Sequence, residues 1–553
     1  MKAGACRVLI VGAGPTGLSL AIELGSRGIS CLVVERNDRV GHAPRAKTTN
    51  VRTRTHLRRW GIADQLAAVS PFGVDYPSDV AFVTRLAGPP LTTIRNASNC
   101  APTRSPLYPE HGQWVPQYKL EEVLRGHAAT LDAVEFRFST ELVDASQDDG
   151  HVSATLRDRH TGAEQHVVAD FLVGADGARS AVRDLIGASM RGQYGLSRNY
   201  NIVFHAPGLS DAHRHGPASM YWQVNPDTPS LIGPMDRGDI WFFMPTRLKD
   251  DFAISDADAA DLIRQATGID LDYAILRRDE WVASSLIADR YRAARVVLAG
   301  DACHLHPPFG GYGMNMGVSD AVDLGWKLAA IIQGWGGPLL LDSYEAERRP
   351  VHQQVIAEAR ANHAILSNDF WQDGLEGASP EAETARAAIG RRIIAEKSRE
   401  FHTLGTVLGL CYASSPIIVA DGSCAGTSGR GEQGYIASSG PGCLAPHAWR
   451  ADGRSLYDLF GAGFTLLHHA GADFSAALAE ADACGVPIAV VALEGDDELE
   501  LYPKLLTLIR PDQHVAWRGE QWRSGLLGEA TGWGLPTEDR PQSFQGNQRY
   551  SRS

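Results

Sequence analysis

The chain has 553 residues, of which 44% are apolar and 21% are charged, a mixture typical of a folded protein. Its 52 basic and 65 acidic side chains leave a net charge of −13. This balance argues against a general nucleic-acid binder, because neutralising phosphates needs a clustered basic surface. The eight cysteines form no CxxC pair and no run of ~20 apolar residues occurs. Zinc-ribbon, dithiol and membrane-spanning patterns are therefore missing, and a cytoplasmic protein is expected.

The N-terminal segment predicts one βαβ unit. The β-branched run Val8–Val11 is expected to form a strand buried on both faces, and the turn GAGPTG at positions 12–17 follows it directly. A helix is predicted from Leu18 to about Arg27, and a second strand from Ser30 to Glu35. A GxGxxG turn between a strand and a helix is typical of a dinucleotide-binding fold.

Each glycine of this turn has a mechanical role. Gly12 permits the tight turn, Gly14 lets the backbone approach a pyrophosphate, and Gly17 lets the helix pack closely on the strand. Free backbone N–H groups and the positive end of the helix dipole hold the phosphates. Glu35 ends the next strand, where a carboxylate binds the hydroxyls of an adenosine ribose. The motif alone does not separate FAD from NAD.

Further along the chain, the patterns predict two more layers. An amphipathic helix is expected at 117–128, and short aromatic strands over 200–285 indicate an antiparallel sheet. The strand RVVLAG leads into a Gly-rich run and a long helix from about Val318 to Gln333, and another helix runs from Ser343 to about Ile365. After a polar zone around 368–445, strand-like runs flank a helix and predict a separate α/β unit.

Two later segments carry Gly-rich turns suited to the rest of a flavin cofactor. DFLVGADGARSAVR places one turn at Gly174–Gly177, and RVVLAGDACHLHPPFGG places another at Gly300–Asp301. A bound flavin needs contacts along its ribityl chain and ring as well as at its pyrophosphate. An aspartate at a strand end, followed by a Gly-rich helix N-terminus, supplies both.

In order and spacing, these three motifs resemble those of the group A flavoprotein aromatic hydroxylases, the family of para-hydroxybenzoate hydroxylase, phenol hydroxylase and the polyketide hydroxylases. The resemblance covers most of the chain. It implies an α/β fold with a Rossmann-like FAD-binding domain of the three-layer glutathione-reductase type, an inserted antiparallel β-sheet substrate domain and a C-terminal thioredoxin-like domain. Since that last domain has no CxxC, a structural or dimerisation role is expected for it.

The resemblance implies the following boundaries: an FAD-binding domain at 1–75, 105–185 and 280–370, a substrate domain at 76–104 and 186–279, a helical and loop linker at 371–445, a thioredoxin-like domain at 446–540, and a tail at 541–553.

Position by position, the resemblance also assigns cofactor contacts. They are Gly12, Gly14, Thr16, Gly17, Glu35, Arg36, Arg45, Gln117, Leu142, Asp176, Gly300, Asp301, Pro308, Gly313, Met314 and Asn315. In this assignment Asp301 bonds the ribityl chain or a water at the pyrophosphate, Pro308 lies against the flavin ring, and the backbone N–H groups of Met314 and Asn315 lie near its pyrimidine carbonyl. Asp176 belongs to the DG motif, to which contacts with both FAD and the nicotinamide cofactor are credited.

The resemblance implies that NADPH or NADH binds transiently and reduces FAD, and that O2 then forms a flavin hydroperoxide that hydroxylates a phenolic or polyketide-like ring. The expected substrate walls are Met220, Trp222, Ile232, Phe243, Pro245, Pro307, Phe309 and Tyr312. A base is expected because a phenol is activated by losing its proton. Relatives often carry His where this chain has Lys47, so Lys47 and His306 are the candidates, with His304 as a further, more structural one. No third ligand accompanies these histidines at metal-site spacing, so no metal is expected.

Other functions stay open at this point. Baeyer–Villiger insertion or epoxidation would use the same flavin contacts, and a non-catalytic flavin-binding sensor would use the C-terminal domain as an interaction module. A homodimer is a further expectation, with no nucleic-acid or membrane partner.

Overall fold

A computed structural model describes residues 5–38, 46–246, 254–412, 414–421 and 434–534. Three sheets organise the chain, and each has a helical or apolar layer against it. Within the described residues, no helix combines the length and apolar character needed to cross a bilayer.

The first sheet is built around five parallel strands in the order β17-β10-β1-β2-β7, and β16 and the β8–β9 hairpin extend it in antiparallel fashion. Its strands are β1 (Ala5–Val11), β2 (Cys31–Val34), β7 (Val134–Arg137), β8 (Thr140–Gln147), β9 (Val152–Asp158), β10 (Glu164–Gly174), β16 (Arg292–Ala293) and β17 (Val296–Leu298). The predicted N-terminal βαβ unit is confirmed.

The second sheet has eight mostly antiparallel strands in the order β18-β15-β11-β14-β13-β12-β4-β5. These are β4 (Val80–Val83), β5 (Pro90–Ile94), β11 (Met190–His205), β12 (Met220–Gln223), β13 (Ser230–Asp236), β14 (Ile240–Pro245), β15 (Ala274–Ala288) and β18 (His304–Leu305). A separate two-stranded ribbon pairs β3 (Thr48–Thr49) with β6 (Gln113–Trp114).

The third sheet lies in the C-terminal unit and has the order β20-β19-β21-β22. Its strands are β19 (Phe464–His468), β20 (Ile488–Ala492), β21 (Leu506–Ile509) and β22 (Val515–Gly519). The run LLTLIRPDQHVAWRG, which predicts extended structure, contains both β21 and β22. They pair as an antiparallel hairpin because the chain turns at Gln513, whose φ is +69°.

The helices are α1 (Pro15–Gly25), α2 (Val51–Arg59), α3 (Ala63–Ala68), α4 (Gln117–Ala128), α5 (Ala181–Leu185), α6 (Asp256–Thr267), α7 (Tyr312–Gln333), α8 (Leu339–His363), α9 (Pro380–Phe401), α10 (Leu404–Val407), α11 (Ser475–Cys484), α12 (Gly495–Leu501) and α13 (Leu526–Ala530). Helix α7 begins six residues before the predicted start near Val318. Gly311, at φ +67°, forms its N-cap and sets the helix direction from the Gly-rich loop.

Helix α9 belongs to the segment expected to link two domains, and it packs against the second sheet. Its residues Ile389, Ile393 and Phe401 join the same apolar cluster as Trp222 and Phe242. One face of the second sheet is therefore covered by α9, Phe309 and the 365–375 segment, and the opposite face packs on α6.

A buried ionic cluster joins the C-terminal unit to α7 and α8. Arg510 donates to Glu347 at 2.7 and 2.9 Å and to Asp323 at 3.0 Å. Lys327 donates to the same two carboxylates, at 2.5 and 2.9 Å. All four side chains are almost fully enclosed, so loss of any one of them would leave buried charge without its partner at the contact between the C-terminal unit and α7 and α8.

Candidate active site

Strand register brings the three Gly-rich motifs to one edge of the first sheet. Val11 at the end of β1 pairs with Val34 of β2 and with Gly174 of β10, and Gly174 pairs with Leu298 of β17. The residues that follow these strand ends are the GAGPTG turn, Glu35, the DG turn and the GD turn. In open parallel sheets ligands bind at this carboxyl edge.

The first turn forms an open cradle at the start of α1. A Cβ built on Gly14 has no atom within 4 Å, and Gly14 caps the helix without any side-chain hydrogen bond. By contrast, a Cβ on Gly12 would collide with the Ala175 carbonyl, and one on Gly17 with the Gly12 carbonyl. Gly12 and Gly17 therefore permit close packing, whereas Gly14 leaves space beside unpaired helix N–H groups.

Thr16 lies between the first motif and the third. Its hydroxyl and Cβ pack against Gly300 and Gly317, where any side chain would collide with it. Gly300 also has φ +63°, a conformation that favours glycine. These contacts fix the GD turn against the start of α1.

Glu35 braces the first turn from the end of β2. Its carboxylate accepts the Ala13 N–H at 3.0 Å and the main-chain and side-chain N–H groups of Asn37 at 3.0 and 2.7 Å. Arg36 next to it is exposed. Leu142 on β8 packs partly buried against the core of the first sheet. Arg45 lies outside the described residues.

Gln117 opens α4 and binds the segment that follows Arg45. The side-chain carbonyl of Gln117 accepts the Ala46 N–H at 3.2 Å, and the main-chain N–H of Gln117 donates to the Ala46 carbonyl at 2.9 Å. Asp176 has a local role in the structure. Its carboxylate accepts the Ser180 hydroxyl at 2.5 Å and the Val182 N–H at 3.2 Å, and so caps α5.

Beyond the GD turn, Asp301 and Pro308 are exposed at this edge and Pro307 is buried. Helix α7 then begins without a side-chain cap, and a Cβ on Gly313 has no atom within 4 Å. Met314 packs partly buried against the core beside α1 and α4. The start of α7 is a second open helix N-terminus that faces unfilled space, as at Gly14.

The side chain of Asn315 is a clamp that the sequence analysis missed. Its amide donates to the carbonyls of Thr48 at 2.9 Å and Gly311 at 2.8 Å. Its carbonyl accepts the Asn50 N–H at 3.0 Å and the Thr53 hydroxyl at 2.7 Å. The residue is 1% exposed; its bonds to Asn50 and Thr53 are buried, and those to Thr48 and Gly311 are partly buried. An asparagine inside a helix N-terminus is a signal for such a clamp.

An aromatic layer covers the inner face of the second sheet. Trp222 stacks on Phe82 with ring centroids 5.4 Å apart and lies 6.1 Å from Phe309. Phe242 joins the same cluster, and Met220 packs at its edge. Phe309 comes from the loop before α7, so this layer adjoins the cofactor cradle.

Four predicted substrate-wall residues do not join this layer. Ile232 and Phe243 pair with each other and pack on the opposite face with α6, because successive residues of a strand alternate between the two faces. By the same alternation, Pro245 belongs to that outer face. Tyr312 packs instead with Val51, Met316 and Val351. The expectation that these four residues lie in the same layer as Trp222 and Phe309 is therefore corrected, and Phe82 and Phe242 are the residues found there.

Lys47 reaches the aromatic layer from the segment beside Gln117. Its amine lies over the Phe242 ring, 2.8 Å from the centroid. Burial lowers the pKa of Lys47 well below its usual range. The main chain on either side is anchored, since the Lys47 carbonyl accepts the Val115 N–H at 2.8 Å and the Thr48 carbonyl is bound by Asn315. The segment thus holds an amine between the cofactor cradle and the aromatic layer.

His306 and His304 belong to a buried polar cluster behind the GD turn. Their Nδ1 atoms are 3.2 Å apart, and His304 Nε2 is 2.8 Å from Asp320. Burial and the neighbouring His304 and His352 lower the pKa of His306 well below its usual range. Within the described residues, His306 Nε2 has no hydrogen-bond partner.

Asp320 is the centre of this cluster and was not predicted. It accepts the Gly300 N–H at 3.0 Å, Arg348 Nε at 2.7 Å and His352 Nε2 at 2.9 Å. Burial opposes its ionisation, but His352, Arg348 and His304 outweigh that effect and hold its pKa well below the usual range. The potential ligand atoms of Cys303, His304 and Asp320 lie within 4.8 Å of one another, and both Asp320 oxygens are engaged by protein partners. The charged residues Asp320, Asp323 and Lys327, spaced at helical intervals inside an otherwise apolar helix, are the signal that could have identified it.

Comparison with known proteins agrees with this geometry. Residues 5–359 match the FAD binding domain family, and residues 438–533 match the family described as aromatic-ring hydroxylase, C-terminal. Phenol 2-monooxygenase of Pseudomonas sp. (strain EST1001) is 32% identical over 573 residues, which cover 93% of this chain and 90% of that protein.

Two solved structures extend the similarity to the fold. The rebeccamycin biosynthetic enzyme RebC with reduced flavin superposes with a TM-score of 0.86 at 33% identity, covering 96% of this chain and 99% of RebC. A ternary complex of aklavinone-11 hydroxylase with FAD and aklavinone gives a TM-score of 0.80 at 30% identity, covering 96% and 100%. The open glycine cradles fit the FAD that these matches imply. The chain therefore belongs to the FAD-dependent aromatic-ring hydroxylases and is a flavin monooxygenase of aromatic rings.

Proposed function

We propose that the enzyme hydroxylates a phenolic ring held against the aromatic layer of Phe82, Trp222, Phe242 and Phe309, with NADH or NADPH as the reductant and Lys47 as the base. The observation that carries this proposal is the position of the Lys47 amine over Phe242. The segment that holds it is anchored to α4 through Gln117 and to α7 through Asn315. Related proteins support the substrate class, since one is named for phenol and another was solved with aklavinone.

The open cradles support the proposed cofactor contacts. The N–H groups at the start of α1, beside Gly14, would hold the pyrophosphate, and those at the start of α7, beside Gly313, would face the flavin ring. Asp301 and Pro308 are exposed at the same edge, where the ribityl chain and ring would pass. Bound FAD supplies the electron transfer from the nicotinamide and the activation of O2.

The start of α7 contributes electrostatic stabilisation. Its first-turn N–H groups have no intrahelical acceptor, and the helix dipole adds partial positive charge there. Negative charge that develops beside Gly313 is therefore stabilised by groups that need no reorganisation. Asn315 keeps this helix end at a fixed position relative to Lys47 through its bond to the Thr48 carbonyl.

Lys47 performs the proton transfer in this proposal. An amine whose pKa is lowered by burial is neutral over more of the physiological range than an exposed lysine, and a neutral amine accepts the proton of a phenol. Loss of that proton makes the ring electron-rich. His306 is the alternative base, since its ring is neutral and its Nε2 has no partner within the described residues.

Absorption spectroscopy and coupled turnover test the proposal. We expect purified protein, with FAD added where needed, to show flavin bands and to consume NADH or NADPH faster when a phenol is added, with O2 uptake. A panel from single-ring phenols to fused polyketide-like phenols identifies the preferred size. Flavin binding without stimulation by any phenol would contradict the assigned substrate class and would favour a sensor.

The relatives reported above are named for hydroxylase, monooxygenase or biosynthetic-enzyme roles, and no feature of the residues that the structure describes favours ring insertion, epoxidation or a sensor. A homodimer is part of the proposal as well, and light scattering of the purified enzyme measures it directly.

A further inference from the structure

Two cysteines face each other where the chain enters the C-terminal unit. The Sγ atoms of Cys411 and Cys443 are 3.5 Å apart, and the two residues form an isolated antiparallel bridge. The Tyr412 N–H donates to the Gly442 carbonyl at 2.9 Å, one residue beyond the pair on each strand. This pattern identifies the cysteines as a non-hydrogen-bonded pair, the arrangement in which opposite side chains are closest.

The backbone geometry of such a pair suits a disulfide. Directly opposite residues in this arrangement have Cα atoms about 4.5 Å apart, which lies within the range of roughly 4.4–6.8 Å that disulfides require. Cys443 is held in place because its N–H donates to Gly440 at 3.0 Å and its carbonyl accepts the Val515 N–H at 2.9 Å. Closing the bond therefore needs movement of the two side chains and little movement of the backbone.

Exposure distinguishes Cys411 from the other described cysteines. Cys411 is half-buried, whereas every other described cysteine is buried. Burial raises the pKa of Cys6 to about 11 and the pKa values of Cys31 and Cys100 to about 12. Because the thiolate is the reactive form and an oxidant needs access, these thiols are expected to react slowly.

We propose that Cys411 and Cys443 form a reversible redox site that responds to hydrogen peroxide. Peroxide oxidises the Cys411 thiol to a sulfenic acid and is itself reduced to water. The Cys443 thiol then attacks that sulfur, forming the S–S bond and releasing a second water. In sum, two thiols lose two electrons and two protons, and one peroxide becomes two waters. A small-molecule dithiol restores both thiols by exchange.

The site is coupled to the cofactor cradle through a short chain of hydrogen bonds. Tyr412, next to Cys411, contacts Arg348 through its hydroxyl at 3.0 Å. Arg348 binds Asp320 at 2.7 Å, and Asp320 binds the Gly300 N–H of the GD turn at 3.0 Å. A disulfide fixes the backbone beside Tyr412 and so restricts the Arg348–Asp320 arrangement. Oxidation is therefore expected to slow the loss of FAD.

Peptide mapping and a cofactor-release assay test this inference. The FAD-loaded protein is treated with increasing hydrogen peroxide, alkylated and digested, and the Cys411–Cys443 cross-linked peptide is measured before and after added dithiothreitol. FAD release is followed by the rise in free-flavin fluorescence, with thermal unfolding measured on the same samples. Cys411→Ser and Cys443→Ser remove the site, and Cys484→Ala, in α11, is the matched control.

We expect the cross-link to form first in wild type and in the control, to reverse with dithiothreitol, and to be absent from both serine variants. Oxidation should slow FAD release and raise the unfolding midpoint by a few degrees in wild type and in the Cys484→Ala control, and should do neither in the two serine variants. Cross-linking of either residue to Cys424 instead, or oxidation of the buried cysteines before this pair, would overturn the site. A disulfide that leaves FAD release unchanged would overturn its coupling to the cradle. The peptide mapping measures thiol oxidation and not turnover, so its result does not depend on whether the proposed hydroxylation is correct.

Discussion

The amide of Asn315 donates to the main-chain carbonyl of Thr48 over 2.9 Å and thereby ties the start of α7 to the segment that carries Lys47. The same side chain binds Asn50 and Thr53, so one buried residue fixes the open helix end relative to the proposed base, Lys47. In the proposed mechanism, cofactor binding and proton transfer share this contact.

Asn315→Ala removes this contact. It leaves several buried backbone and hydroxyl groups without partners, at about 1–3 kcal/mol for each group that water does not reach. We expect lower FAD occupancy and a lower free energy of unfolding, measured by flavin absorbance and denaturant titration. Thr53→Val, which deletes only one of the four bonds, is the control and should keep most of its FAD. Equal FAD retention in both variants would contradict the clamp.

Gly14→Val separates cofactor binding from folding. Gly14 has φ −75° and open space around its Cβ position, so a valine there is compatible with the backbone but occupies the pyrophosphate cradle. We expect a folded protein without FAD by circular dichroism and visible absorbance. Gly17→Val, in contrast, places its side chain against the Gly12 carbonyl and should destabilise the fold itself. A yellow, FAD-bound Gly14→Val protein would show that the cradle is misassigned.

Phe242→Leu and Phe243→Leu form a matched pair on opposite faces of one strand. Both side chains are buried, at 2% and 0% exposure, so both changes are expected to cost about 1–2 kcal/mol of stability, less than truncation to alanine. Only Phe242 lies in the aromatic layer beneath Lys47. We expect KM for the phenol to rise in Phe242→Leu and to stay near wild type in Phe243→Leu. A larger rise in KM for Phe243→Leu than for Phe242→Leu would contradict the assignment, because it would place the substrate on the α6 side of the sheet.

Lys47→Met should abolish most of the base catalysis without weakening the protein. A positioned base contributes about 10²–10⁴-fold, so kcat should fall by at least about 100-fold. In wild type, kcat should rise with pH as the lysine loses its proton, and this limb should vanish in the variant. Because a lowered pKa means that the unfolded chain binds more protons, burying Lys47 costs stability at neutral pH, and methionine should raise the unfolding midpoint.

His306→Gln is the companion variant for that experiment. If Lys47 is the base, kcat of the glutamine variant still rises with pH as it does in wild type. A pH limb that survives in Lys47→Met and disappears in His306→Gln would transfer the role to His306.

Arg510→Met tests how the C-terminal unit is held. Burial opposes ionisation of Glu347, but Arg510 and Lys327 outweigh it and keep the pKa of Glu347 at about 2. This stabilisation is complete above the ordinary carboxylate pKa and is lost as pH falls towards 2. Removing Arg510 should cost about 3–5 kcal/mol at neutral pH, and the difference from wild type should shrink on acidification. A difference that is independent of pH would contradict an ionic contribution.

The motifs predicted the cofactor edge well because glycine requirements are local. Gly12 and Gly17 are required by close contacts within and beside their own turn. Glu35 and Gly300 follow the ends of parallel strands, and the ends of parallel strands lie at one edge of the sheet. The substrate face was harder to predict, because strand alternation in a sheet that is apolar on both sides does not reveal which face meets the cofactor. Ile232 and Phe243 were misplaced for that reason. Asp320 and the Asn315 clamp depend on contacts between distant segments and left only weak signals in the sequence.

Oxygen labelling tests the central assignment most directly. Turnover of the preferred phenol under ¹⁸O2 with NADH or NADPH, followed by mass spectrometry, should yield a hydroxylated ring that carries one ¹⁸O atom, in an amount that tracks nicotinamide oxidation. A product whose added oxygen comes from water, or nicotinamide oxidation that never yields a hydroxylated ring with any phenol, would contradict it.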